Sequence, residues 1–145
     1  MSFFKSMKIS SAGLSAQRLR MNILSSNLAN AQSTRSEDGG PYRRKDVVFS
    51  AVGVDGPFEN HLNDTIGSQL KKPQVVDIHR DMKEPRTVFD PSHPDANEDG
   101  YVKMPNIQVM NEMVNMITAT RAYEANATAL NESKQMAMKA LEIGR

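Results

Sequence analysis

The sequence predicts a mainly α-helical protein with a small β segment, in which long N- and C-terminal helices pair as a coiled coil around a short-stranded, loop-rich middle. All seven prolines lie between Pro41 and Pro105, so both ends lack the residue that most reliably breaks a helix. Both ends also carry apolar residues at helical spacing. We therefore expect residues 1–36 and 105–145 to form one discontinuous axial domain, and residues 37–104 to form a small β/loop outer segment.

The N-terminal helix is expected to begin at a serine and to end after Asn30. Ser11 or Ser15 can cap it, because a serine oxygen accepts a hydrogen bond from an unpaired backbone N–H. Turn-forming residues 33–40 and Pro41 end it. Its apolar residues form two rows, Ala12, Ala16, Leu19 and Ile23 in one and Leu14, Met21 and Leu28 in the other. Two rows fit either two contact faces or one wide core stripe.

The middle of the chain is expected to hold short strands joined by polar connections. β-branched and aromatic residues predict strands at 42–50, 74–79, 86–89 and 101–103. The glycine- and asparagine-rich tract 51–67 predicts a long connection. Such short strands form a marginal sheet unless a helix or a neighbouring subunit covers one face.

The C-terminal helix has the most regular pattern, and Pro105 fits its first turn. Residues at alternating steps of four and three are mostly apolar, which indicates a heptad repeat. We call this set the apolar stripe; it consists of Val109, Met113, Met116, Thr120, Tyr123, Ala127, Leu130, Lys134, Ala137 and Leu141. Over about 35 residues the helix would be roughly 50 Å long, more than a body this small can cover.

The small side chain of Ala127 predicts a close approach of helices at this point of the apolar stripe. A large residue at position 127 is expected to overpack the contact and to cost about 1–3 kcal/mol. If an Ala127→Phe variant assembled with its partner helices as well as the unchanged chain, the predicted close packing at position 127 would be wrong.

Composition and motifs give no support for catalysis, cofactor binding or nucleic-acid binding. The formal net charge is +1 and there is no cysteine, which excludes disulfides, thiolate metal sites and thiol nucleophiles. His61, His79 and His93 share no metal-binding spacing. The sequence contains no phosphate-binding glycine loop, and its pattern leads us to expect neither a cleavable secretory signal nor a membrane span. We expect no catalytic residue, metal or cofactor, no nucleic-acid partner and no integral membrane span.

One segment partly matches a calcium-binding loop. Asp95, Asn97, Asp99 and Gly100 fit the first half of an EF-hand, but Asn106 stands where that loop needs a bidentate glutamate. Nearby prolines also preclude the incoming helix. The segment therefore favours a rigid polar connector over a calcium site.

Both helices carry sequence signatures that resemble those of bacterial flagellar rod and hook axial proteins. Residues 16–22 and 25–30 resemble the N-terminal signature, and residues 121–126 resemble the C-terminal one. The matching residues include Asn27, Leu28, Ala29, Asn30, Arg121, Tyr123, Glu124, Ala125 and Asn126. Interior blocks at 39–45, 90–106 and 140–145 are similar to the proximal-rod members of that family.

The resemblance implies a structural subunit of the basal-body rod, located in the flagellum and periplasmic in a Gram-negative host. It implies export through the flagellar type III apparatus and polymerisation, through the terminal helices, with other copies and other rod proteins into a hollow axis. The residues expected to pack between helices or subunits are Leu19, Ile23, Leu28, Met113, Met116, Ile117, Tyr123, Ala127 and Leu130.

Three alternatives remain open at the level of the sequence. Another rod subunit would share the end signatures, and a helical export chaperone or adaptor would share the amphipathic helices. The basic, serine-rich N-terminus also fits a transit peptide on an imported enzyme with a histidine–acid metal site. Cleavage there would remove the partner of the C-terminal helix.

Overall fold

The computed structural model describes residues 3–37, 39–54 and 70–144. Along the chain these residues form α1 (Phe3–Ala29), β1 (Lys45–Gly53), β2 (Lys71–Arg80), β3 (Arg86–Phe89), β4 (Tyr101–Met104) and α2 (Val109–Ile143). The predicted class, mainly helical with a small β part, is confirmed. Most of the predicted connection 51–67 lies outside the described residues, and its first residues belong to β1.

The two helices lie side by side and run antiparallel. Ser6 Oγ lies 3.4 Å from Ser133 Oγ, and Asn27 Nδ2 donates to Glu112 Oε2 at 3.0 Å. Between these contacts Gly13 packs so closely on Asn126 that a Cβ added to it would lie 2.8 Å from Asn126 Oδ1. For every seven residues forward along α1, the contacting residue on α2 thus lies seven residues earlier in the sequence.

The face that α2 turns inward differs from the apolar stripe at every second position. We call one row of buried and half-buried residues at steps of four and three the inner stripe; it consists of Glu112, Met116, Ala119, Tyr123, Asn126, Leu130, Ser133 and Ala137. Asn115, Thr120, Ala122 and Ala127 beside it are also half-buried. Met116, Tyr123, Leu130 and Ala137 belong to both sets. Glu112, Ala119, Asn126 and Ser133 of the inner stripe follow one another at seven-residue steps. Three of these four residues are polar because α1 offers them polar or small partners.

Only a narrow strip of α1 is exposed. Its exposed residues follow steps of four and three, and they are Phe4, Lys8, Ser11, Ser15, Arg18, Asn22, Ser25 and Ala29. The other sides of α1 are covered by α2, β1 and β2. Two cations and no acid lie on this strip.

Helix α1 begins at Phe3, which is earlier than the predicted serine cap. Neither Ser11 nor Ser15 caps it. Residues before them extend the helix because Ser6 has a partner on α2, so tertiary contact overrides the local cap signal. The end at Ala29 is within one residue of the prediction.

Helix α2 begins at Val109, not at Pro105. The first intrahelical hydrogen bond runs from the Glu112 N–H to the Gln108 carbonyl at 3.1 Å. Pro105 is buried in the chain that leads into the helix, between β4 and Gln108. Its fixed φ therefore shapes the entry to the helix instead of its first turn.

The four strands form two separate antiparallel pairs, β1 with β2 and β3 with β4. A register shift lies between Val48 and Phe49 of β1. The predicted strand 86–89 is confirmed at both ends. Strand β1 begins three residues later than predicted, because the Tyr42 N–H donates back to the Ser33 carbonyl at 3.1 Å.

The tract between β3 and β4 is a hydrogen-bonded connector. The Asp90 carboxylate accepts from the Ser92 N–H at 3.1 Å, and Asn97 Oδ1 accepts from the Tyr101 N–H at 2.7 Å. Gly100 has φ +78°, a conformation that side chains disfavour. These local bonds fit the polar connector that the sequence favours over a calcium loop.

Candidate functional site

The most completely bonded polar group in the described chain is the Asn27 side chain, which has no exposed surface. Its Nδ2 donates to the Lys45 carbonyl at 2.7 Å and to Glu112 Oε2 at 3.0 Å. Its Oδ1 accepts from the Lys45 N–H at 3.0 Å and from the Tyr42 hydroxyl at 3.2 Å. An amide can make four such bonds, so its capacity is filled. Asn27 thereby joins the end of α1 to β1 and to the start of α2.

An ion pair between the half-buried Arg44 and the buried Glu112 completes this network. Arg44 Nε donates to Glu112 Oε1 at 2.7 Å, and Arg44 NH1 donates to Asp46 Oδ2 at 3.1 Å. Burial alone would lower the pKa of Arg44, but hydrogen bonds and charge from Glu112 and Asp46 outweigh it and raise the pKa. Glu112 is 2% exposed, so its charge needs the two partners that it has. We call Asn27, Tyr42, Arg44, Lys45 and Glu112 the Asn27 network.

The rest of the first signature shapes the end of α1. Asn30 Nδ2 donates to the Ser26 carbonyl at 2.9 Å, and Asn30 Oδ1 accepts from the Ser33 hydroxyl at 3.1 Å. The Ser26 carbonyl also accepts from the Asn30 N–H at 3.1 Å, so Asn30 links the last turn of α1 to the residues that follow it. Leu28 is half-buried and Ala29 is exposed.

The second signature lies at the middle of the helix pair. The Tyr123 hydroxyl accepts from Arg18 NH2 at 3.4 Å, and Asn126 Nδ2 donates to the Ala122 carbonyl at 2.8 Å. The same Asn126 amide faces Gly13. The remaining signature residues, Arg121, Glu124 and Ala125, are exposed.

The predicted packing residues fall into two groups in the structure. Leu19, Ile23, Leu28, Met116, Tyr123, Ala127 and Leu130 are half-buried, whereas Met113 and Ile117 are exposed. Half-buried residues can contribute to the helix pair and still contact a neighbour. Their role as an interface between subunits stays a prediction.

Helix α2 exposes two groups of large apolar side chains. The first, which we call the outer patch, consists of Val109, Met110, Met113, Val114 and Ile117 near the start of the helix. The second, the terminal patch, consists of Met136, Met138, Leu141 and Ile143 at its end. Ile143 is 87% exposed and Met110 is 72% exposed. The members of the outer patch share one side of the helix, and contiguous exposed apolar surface of this kind is typical of protein–protein contact sites.

The described residues contain no cluster of three or more His, Cys, Asp or Glu that could hold a metal ion. In the same part of the chain, no helix is long and apolar enough to cross a membrane. His93 Nδ1 accepts from the Asp95 N–H at 3.1 Å, His79 is exposed on β2, and His61 lies outside the described residues.

Sequence reasoning missed Tyr42, Arg44 and Glu112 as members of a site. The available signal was the position of Glu112, one residue before Met113 of the apolar stripe and seven before Ala119. An acid aligned with small residues at heptad spacing indicates a buried polar contact only once its partner is known.

Two family models match the two ends of the chain. The model described as "Flagella basal body rod protein" matches residues 7–35, and "Flagellar basal body rod FlgEFG protein C-terminal" matches residues 98–143. Both helices therefore carry the sequence pattern of flagellar basal-body rod proteins, which defines the class.

Individual relatives identify one family within the class of flagellar basal-body rod proteins. The flagellar basal-body rod protein FlgC of Bacillus subtilis is 43% identical over the whole of both chains. FlgC of Borreliella burgdorferi is 41% identical over 99% of this chain and 98% of its own, and FlgC of Salmonella typhimurium is 38% identical over 94% of each. The chain belongs to the FlgC family of flagellar basal-body rod proteins. It is a structural subunit of the rod, located in the flagellar basal body.

Proposed function

We propose that this rod subunit polymerises through its terminal helices into the hollow axis of the proximal rod. The observation that carries the proposal is the outer patch, a set of five large apolar side chains that one copy leaves exposed on a long helix. Burying such side chains between copies is favourable at roughly 25 cal/mol per Å². An apolar surface that meets a different surface on the next copy builds an open helical array when the rotation between copies does not close a ring.

The pairing of α1 with α2 has the spacing of an antiparallel coiled coil. The inner stripe of α2 repeats at steps of four and three, and so do the buried and half-buried residues Ser6, Ser10, Gly13, Gln17, Arg20, Leu24 and Asn27 of α1. Contacts at both ends and at the middle keep one register. A fixed register would let each copy present the outer patch and the terminal patch at a constant separation.

The proposal assigns the two parts of the chain different tasks. Residues 1–36 and 105–145 form the axial domain, and residues 37–104 form an outer segment that contacts neighbouring rod proteins. The partners are other copies of this chain, other rod proteins and, during export, the flagellar type III apparatus. The role is structural, with no catalytic step and no cofactor.

Deleting the gene in its host tests the rod role. We expect non-motile cells whose basal bodies, imaged by electron microscopy, have inner rings but neither rod nor hook. Intact rods and filaments in the deleted strain would overturn it, and an export adaptor would then explain the helices better.

Complementing that deletion strain with variant genes tests whether the outer patch is an assembly surface. A Met110→Glu/Ile117→Glu variant should restore fewer than a tenth of the rods, because charges would have to enter an apolar contact. The matched control is Asn131→Glu/Gln135→Glu, which adds the same charge at exposed positions of the same helix. Rods built equally well by both variants would exclude the outer patch as an assembly surface.

A further inference from the structure

A strongly basic groove lies where α1 leads into the β segment. Its lining includes Arg35, Arg43, Lys45 and Arg80, with Glu37 as the one carboxylate among its described lining residues, and its volume is about 790 Å³. Arg35 is 82% exposed, although it forms an ion pair with Asp95 at the rim. Among the described lining residues, Arg43, Lys45 and Arg80 still outnumber Glu37 when Arg35 is counted as paired, which makes the groove attractive to a negatively charged group.

The walls of the groove are held in place before any ligand binds. The Ser36 N–H donates to the Gly40 carbonyl at 2.8 Å, and Gly39 and Gly40 have φ of +78° and +81°. Tyr42 on the opposite wall is bonded to Asn27 through its hydroxyl. Preformed sites avoid part of the ordering cost of binding.

An acidic turn of matching charge lies on the same chain. Residues 87–102 contain Asp90, Asp95, Glu98 and Asp99 but no lysine or arginine. Ser92 donates to Asp90, and Thr34 and Arg35 bind Asp95, which lowers the pKa of Asp95, the Thr34 hydrogen bond contributing most. The remaining two, Glu98 and Asp99, are exposed and form no side-chain hydrogen bond or ion pair among the described residues.

The exposed carboxylates do not enter the groove of their own copy. Neither Glu98 nor Asp99 lines it, although the Arg35–Asp95 pair holds their turn at its rim. The turn is fixed by the Gly100 N–H, which donates to the Asn97 carbonyl at 2.9 Å. The Arg35–Asp95 pair joins turn and groove within one copy, whereas Glu98 and Asp99 stay outside the groove of their own copy and can enter that of a second one.

We propose that the basic groove of one copy binds the acidic turn, Glu98 and Asp99, of a second copy. The inference rests on the proposed polymerisation and adds a second, polar contact to it. Because groove and turn are different surfaces, the contact is heterologous, and each copy gives one turn and receives another. Charge attraction between them would also fix which face of an incoming copy docks first.

Charge reversal in the deletion strain tests the contact. Arg43→Glu and Asp99→Lys should each reduce the number of rods per cell at least ten-fold, and the two changes combined in one chain should restore it. Lys71→Glu and Glu132→Lys, at exposed positions outside the groove, the turn and both apolar patches, are the matched controls and should assemble normally. Circular dichroism of each purified variant checks that the helices are retained.

Three results would overturn the inference. Rods of normal number with either single reversal would show that the contact is not used. A defect in Arg43→Glu alone would show that the groove binds an acidic partner other than a second copy. Failure of the combined variant to restore rods would exclude direct pairing. The outer-patch variants distinguish a failure of this inference from a failure of the proposed function. If the outer-patch variants lose rods while the charge variants keep them, only the polar contact is wrong.

Discussion

Replacing Asn27 by aspartate should lower the free energy of unfolding of the purified chain by roughly 3–5 kcal/mol at neutral pH, as expected when a buried charge network is broken. The change keeps the shape of the side chain and replaces the NH₂ group by oxygen. That oxygen would face the Lys45 carbonyl and Glu112 Oε2, which now accept at 2.7 and 3.0 Å. Two donors are lost, and two carboxylates meet in a site without exposed surface.

The loss should depend on pH in a defined direction. Two carboxylates this close raise the pKa of one of them above its unfolded value of about 4. The folded variant then holds a proton that the unfolded chain releases, so stability falls as pH rises above about 4 and recovers as pH is lowered. Thermal unfolding followed by circular dichroism at pH 7.5 and pH 5 measures both effects, with a fall in melting temperature of about 10 °C at pH 7.5.

Asn22→Asp is the matched control for this experiment. Asn22 lies on the same helix and is exposed, so the same chemical change should alter stability by no more than about 0.5 kcal/mol. Equal melting temperatures of the two variants would show that the Asn27 network does not hold α1, β1 and α2 together.

Replacing Gly13 by leucine should destabilise the helix pair by about 3 kcal/mol, at the upper end of overpacking costs. A Cβ at this position already lies 2.8 Å from Asn126 Oδ1 and 3.0 Å from Asn126 Cγ. The Asn126 amide cannot withdraw without losing its bond to the Ala122 carbonyl. A larger side chain must therefore displace the Asn126 amide and break that bond, or push the helices apart. Ser11→Leu, at an exposed position of the same helix, should unfold close to the unchanged chain.

Removing the Asn126 amide should make a small side chain at position 13 stabilising instead of destabilising. In a Gly13→Ala/Asn126→Ala double variant the clash is absent, and alanine is about 1 kcal/mol better than glycine inside a helix. We expect this variant to melt at or above the temperature of the unchanged chain. A melting temperature below that of Gly13→Ala alone would mean that Asn126 stabilises the pair by more than the contact with Gly13 costs.

The helices and strands could be predicted from local patterns, but the inward face of α2 could not. Apolar periodicity identifies Met116, Tyr123 and Leu130 correctly as covered positions, because burial of apolar surface gives that signal. Glu112 and Ser133 escape it, because their burial depends on Asn27 and Ser6. A polar residue is buried only with its partner, and one helix does not reveal a partner more than eighty residues away.

The same dependence on distant partners limits how much of the candidate site could be predicted from the sequence. The signature residue Asn27 could be recognised, but its task depends on the backbone of Lys45 and the carboxylate of Glu112. Helix starts were missed for a related reason: Ser11 is a valid cap by its chemistry, yet residues before it gain a helix partner. The local sequence allows a helix to begin or end at several residues, and packing against distant segments determines which of them is used.

Antiparallel pairing also brings the beginning and the end of the chain together. Ser6 meets Ser133, so the start of α1 and the last turns of α2 lie at one end of the helix pair, while the β segment joins it at the other. A fluorescent tag or affinity peptide attached to either helix end would therefore lie at the same end of the subunit. Circular permutation could connect the old termini with a short linker, because neighbouring chain ends tolerate such rewiring.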